Sequence, residues 1–86
     1  MSKKEKLILL LLTGKVDANF HIDDLVLILT WVGFSERRSG GSHRIFFKKG
    51  IEGIIILQHT KDGKAKSYQV KQVRDFLVTN KLLNDD

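Results

Sequence analysis

The hydrophobic period of this chain changes at Gly33 and changes back near Tyr68, and few folds accommodate both changes in 86 residues. Before Gly33, Ile22, Leu25, Val26, Ile28, Leu29 and Val32 recur at helical spacing, with Asp23 and Asp24 in the first turn, where the helix dipole favours anions. Lys3 to Thr13 is also helical by composition, rich in Leu, Lys and Glu, and Gly14 is placed to end it. Its six consecutive aliphatics, Leu7 to Leu12, wrap most of the circumference and predict cover on more than one side. Val16 to Phe20 connects the two helices.

After Gly33 the pattern is that of strands. Phe34 to Arg38 reads as a short strand, Ser39-Gly40-Gly41 as a turn or bulge, and Ser42 to Lys48 as a second strand. Lys49 to Gly53 makes a hairpin connection to a third strand, Ile54 to Gln58, whose β-branched run predicts the central or best-covered position. His59 to Ser67 is a polar loop. Tyr68 to Lys81 returns to helical spacing, with Val70, Val73, Phe76 and Leu77 inward and Lys71, Arg74 and Asp75 outward; Asn84 to Asp86 is expected to fray. The expected fold class is therefore α+β in a single domain spanning 1–86, in the order helix, helix, three-stranded antiparallel meander, helix. One face of such a sheet is buried under helices and the other is wet.

Size and composition narrow the function. A chain this short buries only about 60 to 65% of the surface its unfolded form exposes, which leaves little room for a large substrate cleft. With 42% hydrophobic and 29% charged residues, it has the composition of an ordinary soluble globular protein. It contains no Cys, which excludes disulfides and thiolate metal sites and suits a reducing, cytoplasmic home. Lys3, Lys4 and Lys6 ahead of Leu7 to Leu12 resemble an export signal, but the apolar run is too short, no small-x-small site follows, and it cannot span a bilayer. No membrane association is expected.

The net charge of +5 is unevenly distributed. Between Arg37 and Arg74 lie ten basic residues against two acids, Glu52 and Asp62, whereas the remainder of the chain is net acidic. A field of one sign steers anionic partners such as nucleic acid or an acidic protein surface, and its bland equivalent is a solvated lysine face.

Within that segment, Gly40-Gly41-Ser42-His43-Arg44-Ile45-Phe46-Phe47-Lys48 sets an imidazole between a glycine pair and a cationic strand. Histidine is the side chain that ordinarily changes charge near neutral pH, and its basic neighbours favour phosphate. Alternation puts His43, Ile45 and Phe47 on one face and Ser42, Arg44, Phe46 and Lys48 on the other, without indicating which face meets the helices. A histidine at a strand end is commonly structural. The functional alternative is metal-free RNA cleavage, in which a ribose 2′-hydroxyl attacks the adjacent phosphate. His43 is the candidate base or acid, Arg37, Arg38, Arg44 or Lys48 the candidate phosphate holders, and backbone N–H groups around Gly40 and Gly41 further donors. A second proton-transfer group is not evident.

Other sites weigh less. His59 and Asp62 share a loop, but His-x-x-Asp without further ligands is a weak metal signal, and His21 is most simply a cap or connector. Phe46, Phe47, Trp31 and Phe76 read as core, although one exposed strand phenylalanine would suit RNA. No nucleotide loop, hydrolase triad or zinc motif is present, and no metal or cofactor is expected.

The segments Val32-Gly33-Phe34, Arg38 to Phe46, Leu57-Gln58 and Lys64 to Arg74 together resemble a HicA-type toxin, in a longer variant with an additional N-terminal helix like Lys3 to Thr13. The resemblance covers most of the chain. Its specificity lies in the Gly-Ser-His-x-x-Phe signature, Gly41 to Phe46, joined to the Tyr-Gln-Val-Lys-Gln-Val helix start, Tyr68 to Val73. It implies a double-stranded-RNA-binding-domain-like core and an mRNA interferase whose essential histidine is His43, framed by Gly41 and Ser42. It also implies a HicB-like antitoxin that covers the active surface and represses the shared operon. The chain departs from many relatives in carrying Gly40-Gly41 where they have one glycine. Two alternatives remain open: a non-catalytic RNA-binding module of the same fold, and a protein-binding domain whose basic face meets an acidic partner.

Overall fold

The computed structural model describes residues 2–38, 43–58 and 60–83. Its elements are α1 (Lys3–Thr13), a 3-10 turn (Asp17–Asn19), α2 (Ile22–Val32), β1 (Ser35–Arg38), β2 (His43–Phe47), β3 (Ile55–Gln58) and α3 (Ser67–Thr79). This is the α+β order the sequence predicts, with a three-stranded antiparallel sheet in the order β1-β2-β3. No described helix is long and apolar enough to cross a membrane.

Local chemistry sets the helix ends. Ser2 caps α1 by accepting from the Glu5 amide at 3.2 Å, and Gly14 closes it in the left-handed region. At the end of α2, Gly33 has φ 109°, and its N–H reaches the carbonyls of Leu29 (3.2 Å) and Thr30 (3.1 Å). Lys48 Nζ lies against Gly33, so a side chain at position 33 would be strained in backbone and would collide with that ammonium. Phe34 then turns inward, its ring edge-on to Phe76 with centroids 6.0 Å apart.

The core lies between one face of the sheet and the helices. Ile22, Leu25, Ile28 and Leu29 from α2 join Val70, Val73 and Leu77 from α3, Phe46 from β2, and Ile55 and Leu57 from β3 in one buried cluster. Two expectations are corrected here. β3 is an edge strand and β2 the central one; only Ile55 and Leu57 of its apolar run are buried, whereas Ile54 and Ile56 are exposed, because period-two alternation turns every second residue to the open side. Likewise α1 is covered on a single stripe: Leu7 and Leu11 are buried against α2 and α3, while Leu9, Leu10 and Leu12 are exposed, since nothing packs on the outer side of this helix among the described residues.

Arg74 also departs from the outward position its spacing predicts. Its Nη1 donates to both Asp17 carboxylate oxygens and to the Leu11 carbonyl, each at 3.0 Å, tying α3 to the 3-10 turn and to the last turn of α1. Both side chains are largely buried, which strengthens the attraction and raises the cost of leaving either alone.

The loop before α3 is anchored to the residues ahead of α2. Ala65 donates to the Phe20 carbonyl (2.7 Å), Ile22 donates to that of Gly63 (2.9 Å), and His21 pairs with Lys64 in an isolated bridge. His21 is the residue preceding α2, its carbonyl accepting from Asp24 and Leu25, in keeping with a connector role. Asp62 shapes the loop: its Oδ1 accepts from the Lys64 amide and the Thr60 hydroxyl, both at 3.0 Å. These bonds, the Lys64 amide foremost, hold its carboxyl below the ordinary aspartate range.

Replacing Arg74 with Met should leave the Asp17 carboxylate without its partner and lower unfolding stability by about 2 kcal/mol in urea denaturation. Because the folded Asp62 carboxyl is depressed, its contribution is complete above the unfolded-state value and lost as pH falls through the folded one. Stability measured from about pH 5 to pH 2 should therefore fall less steeply in Asp62→Asn than in the parent chain.

Candidate functional site

Burial of Phe46 fixes the phase of β2 and so decides what the open face presents. With Phe46 2% exposed and facing the helices, His43, Ile45 and Phe47 point away from them. Register then completes the face: Gln58 stands opposite His43, Arg37 and Ile56 flank Ile45, and Ser35 stands opposite Phe47. The open-face positions of the three strands hold no carboxylate and no second imidazole.

His43 opens β2 and is exposed, and its ring makes no hydrogen bond or ion pair with a described residue. Arg37 is exposed on the neighbouring strand, its guanidinium carbon 5.9 Å from the centroid of the Phe47 ring. Phe47 itself is 39% exposed, beside the exposed Ile54 and Ile56. An imidazole, a guanidinium and an aromatic ring thus share one solvent-facing surface, able to exchange a proton, hold an anion and take a flat ligand.

The other predicted residues go elsewhere. Arg44, next to His43 in sequence, is on the helix-facing side and forks onto Glu36, with Nε–Oε2 2.5 Å and Nη2–Oε1 2.8 Å. Hydrogen bonding to Glu36 outweighs partial burial and raises the Arg44 pKa further above its ordinary value. The Arg44 guanidinium also lies 5.7 Å from the Phe46 ring centroid. Lys48 is half-buried with its amine against Gly33, at the helix end where the dipole favours a cation. The structure therefore brings Arg37 together with His43 on one face but places Arg44 and Lys48 on the other side of the sheet. Arg38 pairs with Arg44 through the β1–β2 ladder, and its side chain lies outside the described residues, as do Gly41, Ser42 and His59. No group of three or more metal-ligating side chains occurs among the described residues.

Sequence reasoning missed two participants. Phe47, read there as core, belongs to the open face. Glu36 was not singled out, yet the β1–β2 register sets Glu36 opposite Phe46 and hence diagonal to Arg44, two positions away on the same face.

Glu36→Gln should weaken the fork and lower stability by about 1 kcal/mol in chemical denaturation, while leaving the open face unchanged.

Comparison of the chain with known protein families, with curated proteins and with solved structures finds no match in any of the three.

Proposed function

We propose that this chain is a metal-independent endoribonuclease of the HicA type, the toxin of a toxin–antitoxin pair, acting on messenger RNA with His43 as proton-transfer residue. The observation that carries this reading is the exposure of His43 on the open sheet face, which it shares with Arg37. An imidazole that had been walled in by the helices would be closed to a polymer. The fold order and the resemblance of Gly41 to Phe46 and Lys64 to Arg74 to that family support it, as does the concentration of basic residues between Arg37 and Arg74. The double-stranded-RNA-binding-domain-like label belongs to the same proposal.

In this mechanism His43 accepts the proton of a ribose 2′-hydroxyl as its oxygen attacks the adjacent phosphorus. The bond to the 5′-oxygen breaks and that oxygen takes a proton from water, leaving a 2′,3′-cyclic phosphate, while Arg37, further along the same face beside Phe47, attracts the RNA backbone. Arg44 and Lys48 contribute by holding the central strand in phase, and the framing role of Gly41 and Ser42 is the one the family resemblance implies. A HicB-like antitoxin with an acidic surface would cover this face, and the site of action is the cytoplasm.

Incubation of the purified chain with end-labelled mRNA in EDTA should yield fragments ending in 2′,3′-cyclic phosphate. His43→Ala should reduce that cleavage by about a hundredfold or more while leaving the fold intact. A chain that binds RNA with steep salt dependence but never cuts it would instead be the non-catalytic binding module.

A further inference from the structure

The geometry points to the open sheet face as a platform for single-stranded RNA, on which an unpaired base stacks against the Arg37–Phe47 pair while His43 meets the backbone further along β2. This inference rests on the ribonuclease reading and adds to it the substrate's strandedness and a residue pair that sets where cleavage falls.

Three observations carry it. Phe47 is an aromatic ring left 39% exposed in a strand, with the Arg37 guanidinium 5.9 Å from its centroid, and aromatic rings and guanidinium planes are the two surfaces on which unstacked bases settle. The face is complementary in charge to a phosphate backbone, since its ionisable positions are Arg37 and His43 and its remaining strand positions are neutral. Between the two sites lie Ile45 and Ile56, a dry floor with no group that competes for hydrogen bonds.

Spacing then separates recognition from chemistry. Phe47 and His43 are four residues apart on one strand, about 13 Å. A base held at Phe47 therefore cannot belong to the nucleotide attacked at His43, and the stacked base would set cleavage at a fixed distance along the strand. A duplex cannot use this arrangement: its bases are already stacked, and its deep, narrow groove is closed to side chains lying flat on a sheet.

The probe is a fluorescein-labelled 2′-O-methyl RNA of mixed sequence, which lacks the attacking hydroxyl and so is bound but not cut, offered single-stranded or annealed to its complement. The parent chain should bind the single strand more tightly than the duplex. Phe47→Leu, which keeps apolar area but removes the π-face, should weaken single-strand binding roughly tenfold to a hundredfold and leave duplex binding unchanged. Phe47→Trp should restore it. Equal affinity of Phe47→Leu and the parent chain for the single strand, or equal loss for both RNA forms, would overturn the platform. So would a parent chain that binds neither form, which would assign the face to a protein partner. The ribonuclease reading fails separately: an RNA bound through Phe47 but never cleaved keeps the platform and removes the enzyme, whereas cleavage that needs His43 and ignores Phe47→Leu does the reverse.

Discussion

The seating of Phe46 between the sheet and the helices is the constraint on which the rest of the structure depends. Side chains alternate along a strand, so a slip of one residue in β2 would carry Phe47 and Ile45 inward and turn Phe46 and Arg44 out. Because β2 pairs with both other strands, its phase is imposed on them as well: Ile55 stands opposite Phe46 and Leu57 opposite Arg44, and both are buried. His43 faces solvent as a consequence of that packing.

The inner face could not hold this phase without dealing with the charges it brings along. Arg44 lies on it and is met by the Glu36 fork; Lys48 reaches back to the end of α2. On the far side of the core, Arg74 is met by Asp17 and the Leu11 carbonyl. No buried side-chain nitrogen or oxygen is left without a hydrogen-bond partner among the described residues. The basic excess seen in composition is thus divided in two. Arg44 and Arg74 serve the fold, whereas Arg37, Lys49, Lys61, Lys66 and Lys71 remain exposed and free to act outward.

This division bears on the proposed chemistry. A nuclease without metal needs a proton carrier, a cation that attracts the backbone and a surface that selects the strand, all within reach of one polymer. On the proposed reading His43, Arg37 and Phe47 would take these roles along one wet face of a sheet whose other face packs on the helices. Under the proposed function, so small a domain would act on a large substrate without a cleft: the polymer would be laid across a surface, and strand spacing would do the measuring that a pocket otherwise does.

Much of the architecture was legible in the residues. Both N-terminal helices have the boundaries that spacing and glycine placement predict, Lys3–Thr13 and Ile22–Val32, and the strand order follows from short loops. Helical period and left-handed glycines are local properties, so a linear reading suffices for them. The same reading singled out His43 and Arg37. It could not settle the phase of β2, because Phe46 and Phe47 are adjacent and equally apolar, and each phase offers a comparable set of partners on β3. Nor could it see that Arg74, at an outward-looking position on α3, turns back to Asp17 across 57 residues of chain. Those outcomes depend on which side chains fill the space beneath the helices and which charges find partners there, and only the folded arrangement of all the elements determines that.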